Sequence, residues 1–168
     1  MPDLAHEAIC TVAAWHIRKH SVREHEWRYT RLLHLHDELK TIALLEPKEC
    51  LIVSCYIDRD RWFMMTSARL ITCGYMKTMT VSPLDIAHWY WGNFKSQLEP
   101  RIGIAKVSMK DGTSFSFPYE TGYAAMAPIY YERFWAVKYP VLHNLDIARI
   151  RGQLLAGVRM SLFNSKVE

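Results

Sequence analysis

Between residues 50 and 118 the chain breaks into seven short runs rich in Ile, Val, Thr, Phe, Tyr and Trp, each stopped by turn-forming residues within a strand's length. That texture commits the middle of the sequence to antiparallel sheet, and everything else must pack around it. The predicted strands are 50–57, 62–66, 69–73, 77–81, 86–91, 101–109 and 114–118. The last two form the clearest hairpin, because Lys110-Asp111-Gly112 between alternating runs supplies the positive-φ positions that a tight turn requires. Residues 93–100 make the longest connection.

On either side the spacing becomes helical. A first helix is expected over 4–20, with Leu4, Ala8, Val12 and Trp15 or His16 as its stripe, and a break near Ser21. A second helix is expected to about residue 45, carried by Leu32, Leu35, Leu39 and Ile42, capped by a Ser21-x-x-Glu24 box and closed before Pro47. After Pro118, Met126, Ile129, Tyr130, Phe134 and Val137 share a helical face with Pro128 near its start, and Pro140 is expected to end that helix. A final helix is predicted over 144–162, where Ile147, Ile150, Leu154 and Val158 are in register. The expected fold class is therefore α+β: one domain over 1–168, with a helical extension at 3–46, a β core at 48–119 and C-terminal helices at 121–165.

With 168 residues, half of them apolar, the chain can build one sizeable core, and six Trp and nine Tyr exclude a disordered composition. No apolar run approaches the roughly 18 residues of a membrane span, and the first residues lack the basic start and apolar stretch of a secretory signal, so a cytoplasmic address is expected. Cys10, Cys50, Cys55 and Cys73 show no C-x-x-C spacing and read as small, mostly buried thiols. A net charge of +4, spread without a basic run, argues against nucleic acid as the partner.

Catalytic patterns are absent from the sequence. There is no Gly-x-Ser-x-Gly elbow and no Gly-rich phosphate loop, and Asp58 and Asp60 alternate with Arg59 and Arg61 as surface ion pairs do. His16, His20, His25, His34 and His36 sit among charged residues as on a solvated face, so neither metal nor cofactor is expected. Trp89-Tyr90-Trp91 stands apart: on a strand successive side chains face opposite ways, so the Trp pair and the Tyr cannot all enter one core. Either helices cover the second side, or these rings form a binding surface, for which Trp, Tyr and Arg are the usual anchors.

Three segments carry a resemblance. Trp62-Phe-Met-Met-Thr-Ser-Ala-Arg-Leu-Ile-Thr72, Val81-Ser-Pro-Leu-Asp-Ile86 and Lys106-Val-Ser-Met-Lys-Asp-Gly-Thr-Ser-Phe-Ser-Phe117 are similar to hairpins and strands of the bacterial pleckstrin-homology-like (PH-like) domains, over about residues 48–138. The resemblance implies a seven-stranded, two-sheet partial barrel followed by a helix, with the N-terminal helices and the final helix as additions. It also implies a non-catalytic scaffold for peptides, proteins or anionic lipid headgroups. The expected function is thus docking of a protein partner, as an immunity- or antitoxin-type inhibitor or a scaffold, through Trp89, Tyr90, Trp91, Arg59 and Arg61. The alternatives are an adaptor for an anionic membrane or lipid headgroup, and an enzyme with an unrecognised site.

Overall fold

The structure, a computed structural model, describes residues 4–143; the helix expected over 144–162 lies outside the described residues. Helix α1 (Leu4–His20) has the predicted bounds and part of the predicted face, since Val12 packs against the core and His16 against Tyr130, but its most buried residues lie to one side of that stripe. Ala13, Ala14 and Ile17 are buried, with Ile9 and Cys10 packed beside them, while Trp15 is 59% exposed. The small alanine side chains bring α1 close to the sheet and the C-terminal helix, an advantage that a bulkier stripe through Trp15 does not offer.

The second N-terminal helix is a correction. Residues 21–45 form a 3-10 turn at Glu24–Glu26, a short strand β1 (Thr30–Leu32) and a single helical turn α2 (Asp37–Lys40). The capping box does not form, because Arg23 takes a left-handed conformation ahead of the 3-10 turn, and Leu33, also left-handed, ends β1. Packing explains the loss of helix. β1 pairs with strand β2 (Leu51–Asp58), Thr30 opposite Cys55 and Leu32 opposite Val53, which sends Leu32 into the main core. Leu39 instead joins Trp62, Met64, Ile71 and Cys73 in a second cluster, with Leu35 against it. One helix cannot reach both faces of a sheet.

Strands β3 (Arg61–Thr66), β4 (Leu70–Gly74) and β5 (Lys77–Val81) complete an antiparallel sheet in the order β1-β2-β3-β4-β5. Five consecutive residues of β3 are buried because Phe63 and Met65 face the main core while Trp62 and Met64 face the cluster around Leu39. Strands β6 (Ile86–Tyr90), β7 (Ile102–Met109) and β8 (Ser114–Glu120) form a second antiparallel sheet, in the order β6-β7-β8. All seven predicted strands are present within a residue or two, with β1 added. The β7–β8 turn places Gly112 at φ 87, and Asp111 accepts the Thr113 N–H at 2.8 Å.

The sheets face each other through β8, which packs on β3 and β4, with Phe63 edge-on to Phe117 at 5.4 Å. At Gly74 a Cβ would stand 3.1 Å from the Ser116 carbonyl oxygen, so a side chain at this crossing would push the β8 backbone back by a few tenths of an ångström. At the end of β8 the buried Glu120 carboxylate accepts the backbone N–H groups of Arg28, Tyr29 and Thr30 at 2.7, 2.9 and 2.8 Å, pinning β1 to the other sheet.

The C-terminal helix begins with a 3-10 turn at Gly122–Ala125 and continues as α3 (Met126–Arg133), a π turn (Phe134–Lys138) and α4 (Tyr139–His143). Pro140 does not end it, contrary to expectation. In the π turn the Tyr139 N–H reaches back five residues to the Phe134 carbonyl, and the widened backbone accommodates a proline that an α-helical ladder would reject. Ala127, Ile129, Tyr131, Phe134 and Trp135 are buried, whereas Val137, placed on the core stripe by spacing, is 59% exposed.

Candidate functional site

Strand β6 is an edge of its sheet: β7 pairs with one side, and no described strand pairs with the other. An edge carries a row of backbone N–H and C=O groups that another chain can use. Beyond it lies the C-terminal helix, and between strand and helix run two adjoining hollows of about 390 and 320 Å³. The first is lined by Trp89, Tyr90, Trp91, Phe94, Ile129 and Tyr130 among others, the second by Pro83, Ile86, His88, Lys110 and Trp135 among others. Trp89 and Glu132 belong to both, so the hollows form one groove along β6.

Alternation along β6 assigns the three rings. Trp89 and Trp91 stack at 5.5 Å and both meet Phe117 edge-on, while Tyr90 points away and is 68% exposed. Trp91 is a core residue, packed on Tyr119, whose hydroxyl donates to the Trp91 carbonyl. Its indole N–H donates to Glu132 Oε2 at 2.6 Å, which ties strand to helix and leaves Trp89 and Tyr90 as the aromatic wall open to a ligand. Burial pushes the Glu132 carboxyl above the ordinary range, partly offset by the Trp91 bond and the Arg133 charge.

Arg59 and Arg61 lie elsewhere, in and beside the β2–β3 turn, and line neither hollow. Arg61 is engaged by Asp58 at 2.5 Å, and this guanidinium holds the Asp58 carboxyl below its usual range. The arginine beside the aromatic rings is instead Arg133, whose guanidinium lies 5.5 Å over the Tyr130 ring. Sequence reasoning placed Tyr130 on a core stripe and missed Glu132 and Arg133. The available signal was the pair of charges directly after Tyr130-Tyr131, at a position where a helix lying on the sheet brings polar residues to its border.

The histidines are not one solvated face. His25 and His34 are exposed, but His36 is buried at the start of α2, and His16 and His20 flank Tyr130, with His20 stacked on its ring at 4.1 Å. Among the described residues no three His, Cys, Asp or Glu side chains converge as a metal ion would need. Burial raises the Cys10 and Cys55 thiols to about 11 and about 12, which keeps both protonated. Among the described residues no helix is long and apolar enough to cross a membrane.

The fold so described is a mixed α+β arrangement of two antiparallel sheets, of five and three strands, with a C-terminal helix. No protein-family model, curated protein or solved structure matches the chain.

Proposed function

We propose that this chain is a docking module with a PH-like core, which takes an extended segment of a protein partner along β6 and thereby inhibits or scaffolds that partner. The observation that carries the reading is an open sheet edge bordered by an aromatic groove. Backbone groups of β6 offer affinity independent of sequence, while Trp89, Tyr90 and the hollows beside them take alternate side chains of an added strand. The PH-like assignment is supported by the division of β2–β8 into four strands and three, followed by a helix.

The test avoids Trp91, whose removal would damage the core. A photo-crosslinking amino acid in place of Tyr90 should capture a discrete partner, whereas the same group in place of the exposed Leu98, in the 93–100 loop, should not. Trp89→Ala/Tyr90→Ala, with an unchanged circular dichroism spectrum, should release that partner. Equal capture from both positions, or retention by the folded double variant, refutes the groove as the docking face.

A further inference from the structure

At one end of the groove the seam between α1 and the C-terminal helix gathers cations around an aromatic ring. His16 meets the Tyr130 ring edge-on at 5.3 Å, His20 stacks on it at 4.1 Å, and Arg133 lies over it at 5.5 Å. Lys19 and Lys138 are close enough to act on His16 through their charge. Lys19, Arg133 and Lys138 are exposed, and among the described residues none of them is in an ion pair. Glu132, the carboxylate beside Arg133, is already held by the Trp91 indole. Glu132 offsets only part of the Arg133 charge; cations gathered in excess of their counter-charge repel one another, and an arriving anion relieves that repulsion.

We propose that this seam, formed by His16, Lys19 and His20 with Tyr130, Arg133 and Lys138, binds the acidic flank of a peptide whose apolar part lies in the β6 groove. The inference rests on the groove reading above and names the partner's chemistry. A peptide is favoured over a nucleic acid or a bilayer because Tyr130 and Arg133 belong to both the groove and the seam, so one extended chain spans the two. A flat bilayer does not enter the groove, and the cations form a cluster rather than a track along a phosphate backbone.

The seam also gives binding a pH signature. His16 faces His20 and Lys19 on its own helix, Tyr130 and Arg133 on α3 and Lys138 on the π turn. Burial, then these positive neighbours, lower its proton affinity. A carboxylate set among the same groups reverses the second effect, so the complex takes up a proton that the free chain lacks, and affinity rises as pH falls.

The experiment is selection of random linear peptides displayed on phage against the full chain. Enrichment of Asp and Glu on one side of an apolar and aromatic segment is expected. A selected peptide should bind more tightly at about pH 6 than at about pH 7, by at most about tenfold, the limit for one proton taken up per complex over one pH unit. Lys19→Gln/Arg133→Gln/Lys138→Gln, three exposed positions, should weaken it at least about tenfold without lowering the thermal midpoint, since removing like charges relieves repulsion in the free chain. Peptides that bind without acidic enrichment, or acidic peptides indifferent to the triple variant, overturn the acidic assignment and leave the groove reading standing. Failure to select any peptide overturns both. Binding of phosphatidylserine vesicles or single-stranded DNA that is lost in the triple variant, with no peptide selected, assigns the seam to a different anion and also overturns the proposal.

Discussion

Arg69→Met should be among the most destabilising single changes in this chain, and its cost should shrink in acid. The Glu49 side chain is 1% exposed and accepts Arg69 Nε and Nη2, each at 2.9 Å, the Glu46 N–H at 2.9 Å and the Thr66 hydroxyl. Tyr131 donates to the Thr66 carbonyl at 2.9 Å, so the network ties the C-terminal helix to β3. Burial alone would raise the Glu49 carboxyl; the bonds from Arg69, Thr66 and the Glu46 N–H outweigh it and leave the group below its ordinary value. Removing the guanidinium strands a buried carboxylate, which costs about 3–5 kcal/mol at neutral pH. Glu49→Gln leaves Arg69 a quarter exposed and partly hydrated, and should cost only about 1–2 kcal/mol. In the wild type the folded pKa lies below the unfolded one, so this contribution is complete above about pH 4.5 and is lost as pH falls through the folded value. In Arg69→Met burial acts unopposed by the guanidinium, the folded pKa rises above the unfolded one, and acid stabilises the variant relative to wild type. Urea unfolding followed by tryptophan fluorescence at about pH 7 and about pH 4.5 measures both effects. A loss under about 1 kcal/mol at neutral pH, or the same loss at both pH values, would refute the reasoning.

Two further changes test how the sheets are held. The β4–β5 turn consists of Tyr75 and Met76, both left-handed at φ 52 and 64 and both more than three-quarters exposed, so Asn-Gly in their place should raise stability by about 1–2 kcal/mol with no packing lost; an unmoved urea midpoint counts against backbone strain there. Glu120→Ala should cost about 3 kcal/mol or more by orphaning three backbone N–H groups, and hydrogen exchange should accelerate at Arg28, Tyr29 and Thr30 first; uniform acceleration across β2 and β3 would show that the clamp is not local.

The parts of this molecule that were legible in the sequence are those decided by near neighbours. Seven strands could be read because β-branched and aromatic residues alternate between turn residues, and Lys110-Asp111-Gly112 marked its hairpin through a backbone angle that glycine meets freely. That Tyr90 and the Trp89–Trp91 pair take opposite faces followed from the two-residue period of a strand, though which of them faces outward did not. What failed was decided by distant partners. Leu32, Leu35, Leu39 and Ile42 have helical spacing, yet β2 and the outer face of β3 compete for Leu32 and Leu39 from opposite sides, and pairing across the sheet prevails over local propensity. Pro140 reads as a stop until a π turn six residues earlier widens the helix. The site follows the same division. Its aromatic wall is local to β6, but whether β6 is an edge, and that Glu132, Arg133 and His16 complete the groove and its seam, depends on how two helices some hundred residues apart are laid against it. Arg59 and Arg61 were grouped with the rings because arginine and tryptophan favour interfaces, a preference of composition that carries no distance. Arg133 meets the same preference and is in place because the helix that buries Ile129 and Phe134 turns this arginine and Tyr130 toward the border with α1.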